Sequence, residues 1–212
     1  MAEPRPAPHF ATLAQQEHAA HLGMWVFLAS ESLLFAGLLC LYGAYRAHAP
    51  AAFALGVAHN TRLLGSINTA ILLCSSYAAA SAVHALRAGR RALSVGLLAL
   101  TVAMGAGFLA IKIHEYALHF AEGIKPGGAG RFFVEHTDAG LRPFWTLYYL
   151  TTGLHAFHVA VGLMVLVWLA VRVARGRVTP EVSHPLALGA MYWHLVDVVW
   201  IFVWPLYYLT AG

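Results

Sequence analysis

Five long apolar stretches, at about 24–45, 64–86, 93–117, 143–171 and 186–210, constrain this chain more than any other feature. Each can span the ~30 Å of hydrocarbon in a bilayer, which takes roughly 20 residues of helix. Lipid offers backbone N–H and C=O groups no partners, so a segment crossing it must satisfy them internally, as a helix does. Strand-like alternation is absent, which argues against a barrel. The expected fold is an all-α integral membrane bundle of five transmembrane helices over 23–212. It follows an N-terminal tail, 1–22, in which Pro4, Pro6 and Pro8 stand beside Glu17, His18 and His21. No long apolar run follows a basic start there, so this segment reads as a tail and not as a cleaved signal peptide.

Composition agrees. The chain is 60% hydrophobic and 10% charged, whereas soluble domains carry about 25% charged residues. The net charge of +4 does not indicate nucleic acid, because the basic residues lie in short clusters between apolar runs. Cys40 and Cys74 are isolated within apolar runs and are expected to be small thiols buried by helix packing. Trp25, Tyr45, Trp145, Tyr148, Trp204, Tyr207 and Tyr208 mark helix ends, where aromatic belts form.

Loop charge predicts orientation. One side would carry Arg5, Arg87, Arg90, Arg91, Arg172, Arg175 and Arg177. The other would carry Arg46, Arg62, Lys125, Arg131 and Arg142, with Glu122, Glu135 and Asp138 among them. The denser clusters favour a cytoplasmic N-terminus and an exterior C-terminus. Between the third and fourth spans, Pro126, Gly127, Gly128 and Gly130 predict turns and not a domain. No internal repeat supports an inverted-repeat transporter.

Ionisable residues inside a span carry the functional information. Glu31 lies about 10 Å into the first predicted helix. A carboxylate there loses hydration and is expected to take up a proton or to pair with another subunit; a packing role and a proton-accepting or lipid-contacting role are both open. His155 and His158 are three residues apart, on one face with Thr151 and Gly162. A metal would need three or four convergent ligands, and two axial ligands of one haem must lie on opposite sides of it. Hydrogen bonding between helices is therefore preferred. His194 and Asp197 share a face of the fifth helix, at a depth similar to His158, so His155, His158, His194 and Asp197 are assigned to an interhelical polar network. If that network forms, replacing Asp197 by Leu would harm packing. Lys112 and Glu115 are spaced for a local ion pair, although Lys112 could also snorkel to the interface. Asn68, Ser75 and Ser76 are expected to bond between helices, and Gly105 and Gly107 to allow close approach.

No complete catalytic apparatus is visible: there is no CxxCH haem attachment, no Gly-rich phosphate loop and no HExxH zinc motif. Two rivals, a b-type membrane cytochrome ligated by these histidines and a small transporter coupled through Glu31 and Asp197, lack a full constellation.

WVFLASESLLFAGLLCLYGAYR (Trp25–Arg46), SINTAILLCSSYAAASAVHALRAG (Ser66–Gly89), GAGFLAIKIHEY (Gly105–Tyr116), TTGLHAFHVAVG (Thr151–Gly162) and YWHLVDVVWIFVWPLYYL (Tyr192–Leu209) occur in order. Together they resemble subunit III of the haem–copper oxidases, the cytochrome c oxidase subunit 3 family, in a five-helix bacterial form. The two first helices of the seven-helix form have no counterpart here, so the lipid-filled cleft they make is expected to be absent or built from another subunit. Lys112 stands where many relatives have Gln, and Ala156 where many have Gly.

The resemblance implies an accessory subunit of a terminal oxidase that reduces O2 to water and translocates protons, in a bacterial cytoplasmic (inner) membrane. The cytochrome c type is the first expectation; a quinol oxidase or a nitric-oxide-reductase-associated complex is the alternative. It implies no metal and no redox cofactor in this chain, haem and copper in partner subunits, bound phospholipid, and subunits I and II as partners. Glu31 matches the family's buried Glu, associated with lipid and proton entry. His155, His158, His194 and Asp197 match polar positions of its last two helices.

Overall fold

The computed structural model describes residue 8 and residues 10–210, which form helices and turns without a strand. Seven α-helices run in order: α1 Leu13–His48, α2 Pro50–His59, α3 Arg62–Arg87, α4 Arg91–Ala121, α5 Phe132–Glu135, α6 Leu141–Ala174 and α7 His184–Tyr208. Of these, α1, α3, α4, α6 and α7 are long and apolar enough to cross a membrane. Arg5 of the expected basic cluster, and Pro4 and Pro6 of the tail, lie outside the described residues.

The tail is shorter than predicted, because α1 already begins at Leu13. The Thr12 hydroxyl accepts from the Gln15 backbone N–H at 3.2 Å, and the Gln15 side chain accepts from Ala11 N–H at 3.1 Å. This Ser/Thr-x-x-Gln pattern nucleates helix ahead of the apolar run. The extension makes α1 about 54 Å long, well beyond the hydrocarbon thickness. At the other end of the chain, α7 stops at Tyr208, two residues before the predicted limit.

A second difference is α2. Ten apolar residues are too few to span a bilayer, yet they fold as a helix with Pro50 in its first turn. Phe53 and Val57 are buried, and a side chain at Gly56 would collide with the Phe144 ring. The short helix thus closes one end of the bundle against α6 and α7.

Helices α3, α4, α6 and α7 pack around the core, while α1 leans on α6 and α7. Trp145, Trp193 and Trp200 are fully enclosed there, with Tyr148, Tyr207 and Tyr208. Four of the expected interfacial aromatics, Trp145, Tyr148, Tyr207 and Tyr208, are therefore core residues; Trp25 and Tyr45 do lie exposed. Position near a helix end does not distinguish a lipid-facing ring from one facing another helix. The cysteines show the same ambiguity in reverse: Cys40 and Cys74 are exposed, not buried by packing.

Glycine marks the closest approach. A side chain at Gly105 would meet Leu163 and Trp193, each at 2.7 Å, and one at Gly162 would meet Trp193 at 2.8 Å from the other direction. Gly107 faces open space and makes no such approach. The segment between α4 and α6 is a 3-10 turn, Pro126–Gly128, followed by the single-turn α5.

Candidate functional site

Three polar clusters lie inside the bundle, and they differ in what encloses them. Glu31 is near the midpoint of α1 and His158 near the midpoint of α6. Glu31 Oε2 is 2.9 Å from His158 Nε2. The other ring nitrogen, Nδ1, is 2.8 Å from the Leu154 carbonyl oxygen. A carbonyl oxygen only accepts, so Nδ1 carries a hydrogen, and Nε2 and Glu31 then share the remaining proton between them. Whether that proton rests on the carboxyl or on the imidazole, the pair is neutral overall. Phe35 packs edge-on against the His158 ring, at 5.2 Å between centroids. Tyr192 Oη donates to the His158 carbonyl at 3.1 Å.

The second cluster joins α4, α6 and α7. Lys112 Nζ donates to Glu115 Oε2 at 2.9 Å, to Tyr148 Oη at 3.0 Å and to Tyr208 Oη at 2.9 Å. All three ammonium hydrogens are thereby used. Tyr208 Oη in turn donates to the Glu115 carboxylate, at 2.8 Å to Oε1. The rings of Tyr116 and Tyr148 each stand 4.9 Å from Nζ, close enough for their faces to attract the cation. Lys112 does not snorkel. Its side chain and that of Glu115 are both 2% exposed, against 19% for Glu31 and 11% for His158. The lysine cage is closed; the Glu31–His158 pair is reachable from outside the chain.

The third cluster lies between α3 and α7. His194 Nδ1 is 2.6 Å from Ser76 Oγ. Ser76 also lies alongside Asp197, but neither Asp197 oxygen makes a hydrogen bond. His155 is fully buried and both its ring nitrogens are without a hydrogen bond. It packs by ring contact alone, 5.0 Å from Trp200 and 5.5 Å from Phe108.

The four residues assigned to one network are thus divided. His158 pairs across to α1, His194 to α3, and His155 and Asp197 bond to neither. Spacing on a helix identifies a face, but not which neighbouring helix the face meets. The expectation for Asp197 reverses accordingly. A buried carboxyl without a hydrogen bond costs stability, and removing it relieves that cost. Asp197→Leu is expected to keep or raise the thermal midpoint of the purified chain in detergent; a fall of several degrees would show that the carboxyl has a partner.

Other polar residues depart from expectation as well. Asn68 is buried with neither amide atom bonded. Ser75 accepts from the Trp193 indole N–H at 3.1 Å, and Thr69, which spacing did not single out, accepts from the Trp200 indole at 3.0 Å. A clamp between the first and last helices was also missed. Tyr42 Oη donates to the Leu206 carbonyl at 2.6 Å, and Arg46 donates to the Thr210 carbonyl at 2.7 Å and to its hydroxyl. At the same end, His59 Nε2 is 2.7 Å from Glu122 Oε2. The sequence shows Arg46 and Glu122 only as charges on the same side of the membrane, without their partners.

Among the described residues, no group of three or more His, Cys, Asp or Glu side chains could hold a metal ion. The arrangement can hold and share a proton at Glu31–His158, and it can fix four helices through closed hydrogen bonds.

The family model described as cytochrome c oxidase subunit III matches residues 11–211. Curated relatives agree over most of the length. The chain is 28% identical over 190 residues to a quinol oxidase subunit 3 of Bacillus spizizenii, covering 90% of this chain and 86% of that protein. It is also 30% identical over 196 residues to a cytochrome bo(3) ubiquinol oxidase subunit 3 of Pseudomonas putida, covering 90% and 85%.

Proposed function

Because this chain belongs to the cytochrome c oxidase subunit III family, we propose that it is the non-redox accessory subunit of a quinol-oxidising haem–copper oxidase in a bacterial cytoplasmic membrane. It is a multi-pass membrane protein and a subunit of an oxidase complex. The quinol assignment draws on its relatives in Bacillus and Pseudomonas, which are subunits of quinol oxidases. It replaces the cytochrome c type expected first. The purified complex is expected to consume O2 with a reduced quinol and not with reduced cytochrome c; the reverse preference would restore the cytochrome c reading.

In this reading subunits I and II are the partners, haem and copper reside in them, and the N-terminus is cytoplasmic. The single observation supporting a role beyond packing is the Glu31–His158 pair, which shares one proton at mid-membrane and stays partly open to its surroundings. Such a pair can pass its proton to an adjoining subunit and take one back, and the single negative charge it carries in between sits at a site still partly open to its surroundings. A groove of about 610 Å³ runs between α1 and α7, with Leu28, Ala29 and Ser32 on the α1 side and His194, Leu195 and Val198 on the α7 side. Its largely apolar lining suits an acyl chain, on the same helix as Glu31 but not in contact with it.

The test is Glu31→Gln. An amide keeps a hydrogen-bond donor facing His158 Nε2, so the complex is expected to assemble normally. Proton uptake during turnover is expected to slow severalfold, or the working lifetime of the oxidase to shorten. Unchanged turnover and durability would leave Glu31 a packing residue only.

A further inference from the structure

We propose that the hairpin of α3 and α4 carries a site for one anionic phospholipid, separate from Glu31 and from the groove beside α1. A cleft of about 470 Å³ lies between these helices where they turn. Ala80 and Ser81 form its floor, Leu93 and Leu97 its wall, and His84 and Arg90 its mouth. From Arg90 to Leu97 is about 10 Å of helix, enough depth for a glycerol and the upper part of an acyl chain.

The turn holds Arg90 in place. Gly89 adopts φ +73°, the left-handed conformation that glycine permits. The N–H of Arg90 bonds the Ala85 carbonyl and that of Gly89 bonds the Leu86 carbonyl, both at 2.9 Å. These two bonds form a Schellman cap, so the position of Arg90 over the cleft is set by hydrogen bonding and not by chance. Ser94 Oγ, bonded to the Ala82 carbonyl at 2.8 Å, ties α4 to α3 just below.

Of the three clustered arginines, two are already engaged. Arg87 Nε donates to Ser183 Oγ at 3.3 Å, and Arg91 donates to the Ala174 carbonyl. Arg90 and His84 have no side-chain hydrogen bond or ion pair within the described residues. The acids at this end do not answer Arg90 either: Glu17 pairs with His184, and Glu181 makes no ion pair among the described residues. An unpaired guanidinium at membrane-surface depth, above a small-walled apolar cleft, matches a phosphate above an acyl chain. A purely apolar helix laid in the cleft would instead strip water from the guanidinium without replacing its hydrogen bonds. Basic pockets between membrane helices recognise anionic headgroups in this way.

The full chain in detergent, titrated with phosphatidylglycerol or phosphatidylcholine of the same acyl chains and read by native mass spectrometry, tests the site. One phosphatidylglycerol is expected to bind about five-fold more tightly than phosphatidylcholine, the share expected of one arginine. Arg90→Gln should erase that preference, Ala80→Phe should remove the bound lipid of either kind, and Arg175→Gln, at the same end but outside the cleft, should change neither. Equal binding of the two lipids by the wild type would overturn the proposal, as would Arg90→Gln without effect. An equal loss in Arg175→Gln would mean diffuse surface attraction and overturn it too. So would Ala80→Phe that keeps its bound lipid in the same titration.

Discussion

Replacing Lys112 by Met is expected to cost about 3–5 kcal/mol of stability, the usual loss when one partner of a buried ion pair is removed. The size follows from the closure of the cage. Lys112 and Glu115 are each 2% exposed, so neither can be rescued by water. Without Nζ, the Glu115 carboxylate keeps only the Tyr208 hydroxyl, and Tyr148 Oη loses the donor on its oxygen. Surface pairs at the same spacing contribute a few tenths of a kcal/mol. Stepwise denaturation of the purified chain, or retention of the subunit in the complex, measures the effect. The double variant Lys112→Met/Glu115→Leu should recover much of the loss, because two apolar side chains leave no unpaired charge behind. A single variant as stable as the wild type would mean that the carboxyl is satisfied without the lysine.

Gly105→Leu is expected to destabilise the bundle by about 1–3 kcal/mol or more, through overpacking. The position is confined on both sides. A side chain there meets Leu163 and Trp193, and Trp193 cannot retreat because Gly162 backs its other edge. Its indole N–H is also held by Ser75 at 3.1 Å, so displacing the ring breaks a buried hydrogen bond in addition. Two residues along, Gly107 faces open space, and Gly107→Leu should be neutral or gain up to about 1 kcal/mol from helix propensity. The contrast separates close packing from the general effect of removing a glycine. If both variants behave alike in thermal unfolding, Trp193 is not held between the two glycines as described.

The five spans were legible because each is long enough that no alternative satisfies its backbone in lipid. What lay just outside those runs was less so. Residues 13–22 carry Gln15, Glu17 and His18, and their polarity hid a helix that the Thr12–Gln15 cap begins. The apolar run of α2 pointed to no spanning helix, since ten residues cannot cross a bilayer. Within the spans, the residues that matter for chemistry were visible as polar exceptions, and their mutual spacing located the lysine–glutamate contact within α4. Contacts between helices were not visible. Glu31 and His158 were both singled out, yet nothing in either segment says that α1 lies against that face of α6, and the buried tyrosines around Lys112 read equally well as an interfacial belt.

The clamp of Tyr42 and Arg46 onto Leu206 and Thr210 bears on the order in which the molecule is made. It joins residues 164 positions apart, and only 11% of the residues in the most apolar stretch of α1 are buried. During synthesis α1 can therefore meet α6 through Glu31 and His158 before its latch on α7 has been made. Membrane helices insert first and associate afterwards, and here the association closes end to beginning. A ribosome that stops before Leu206 would leave α1 without this latch, which gives quality control in the membrane a simple mark that α7 has not yet docked.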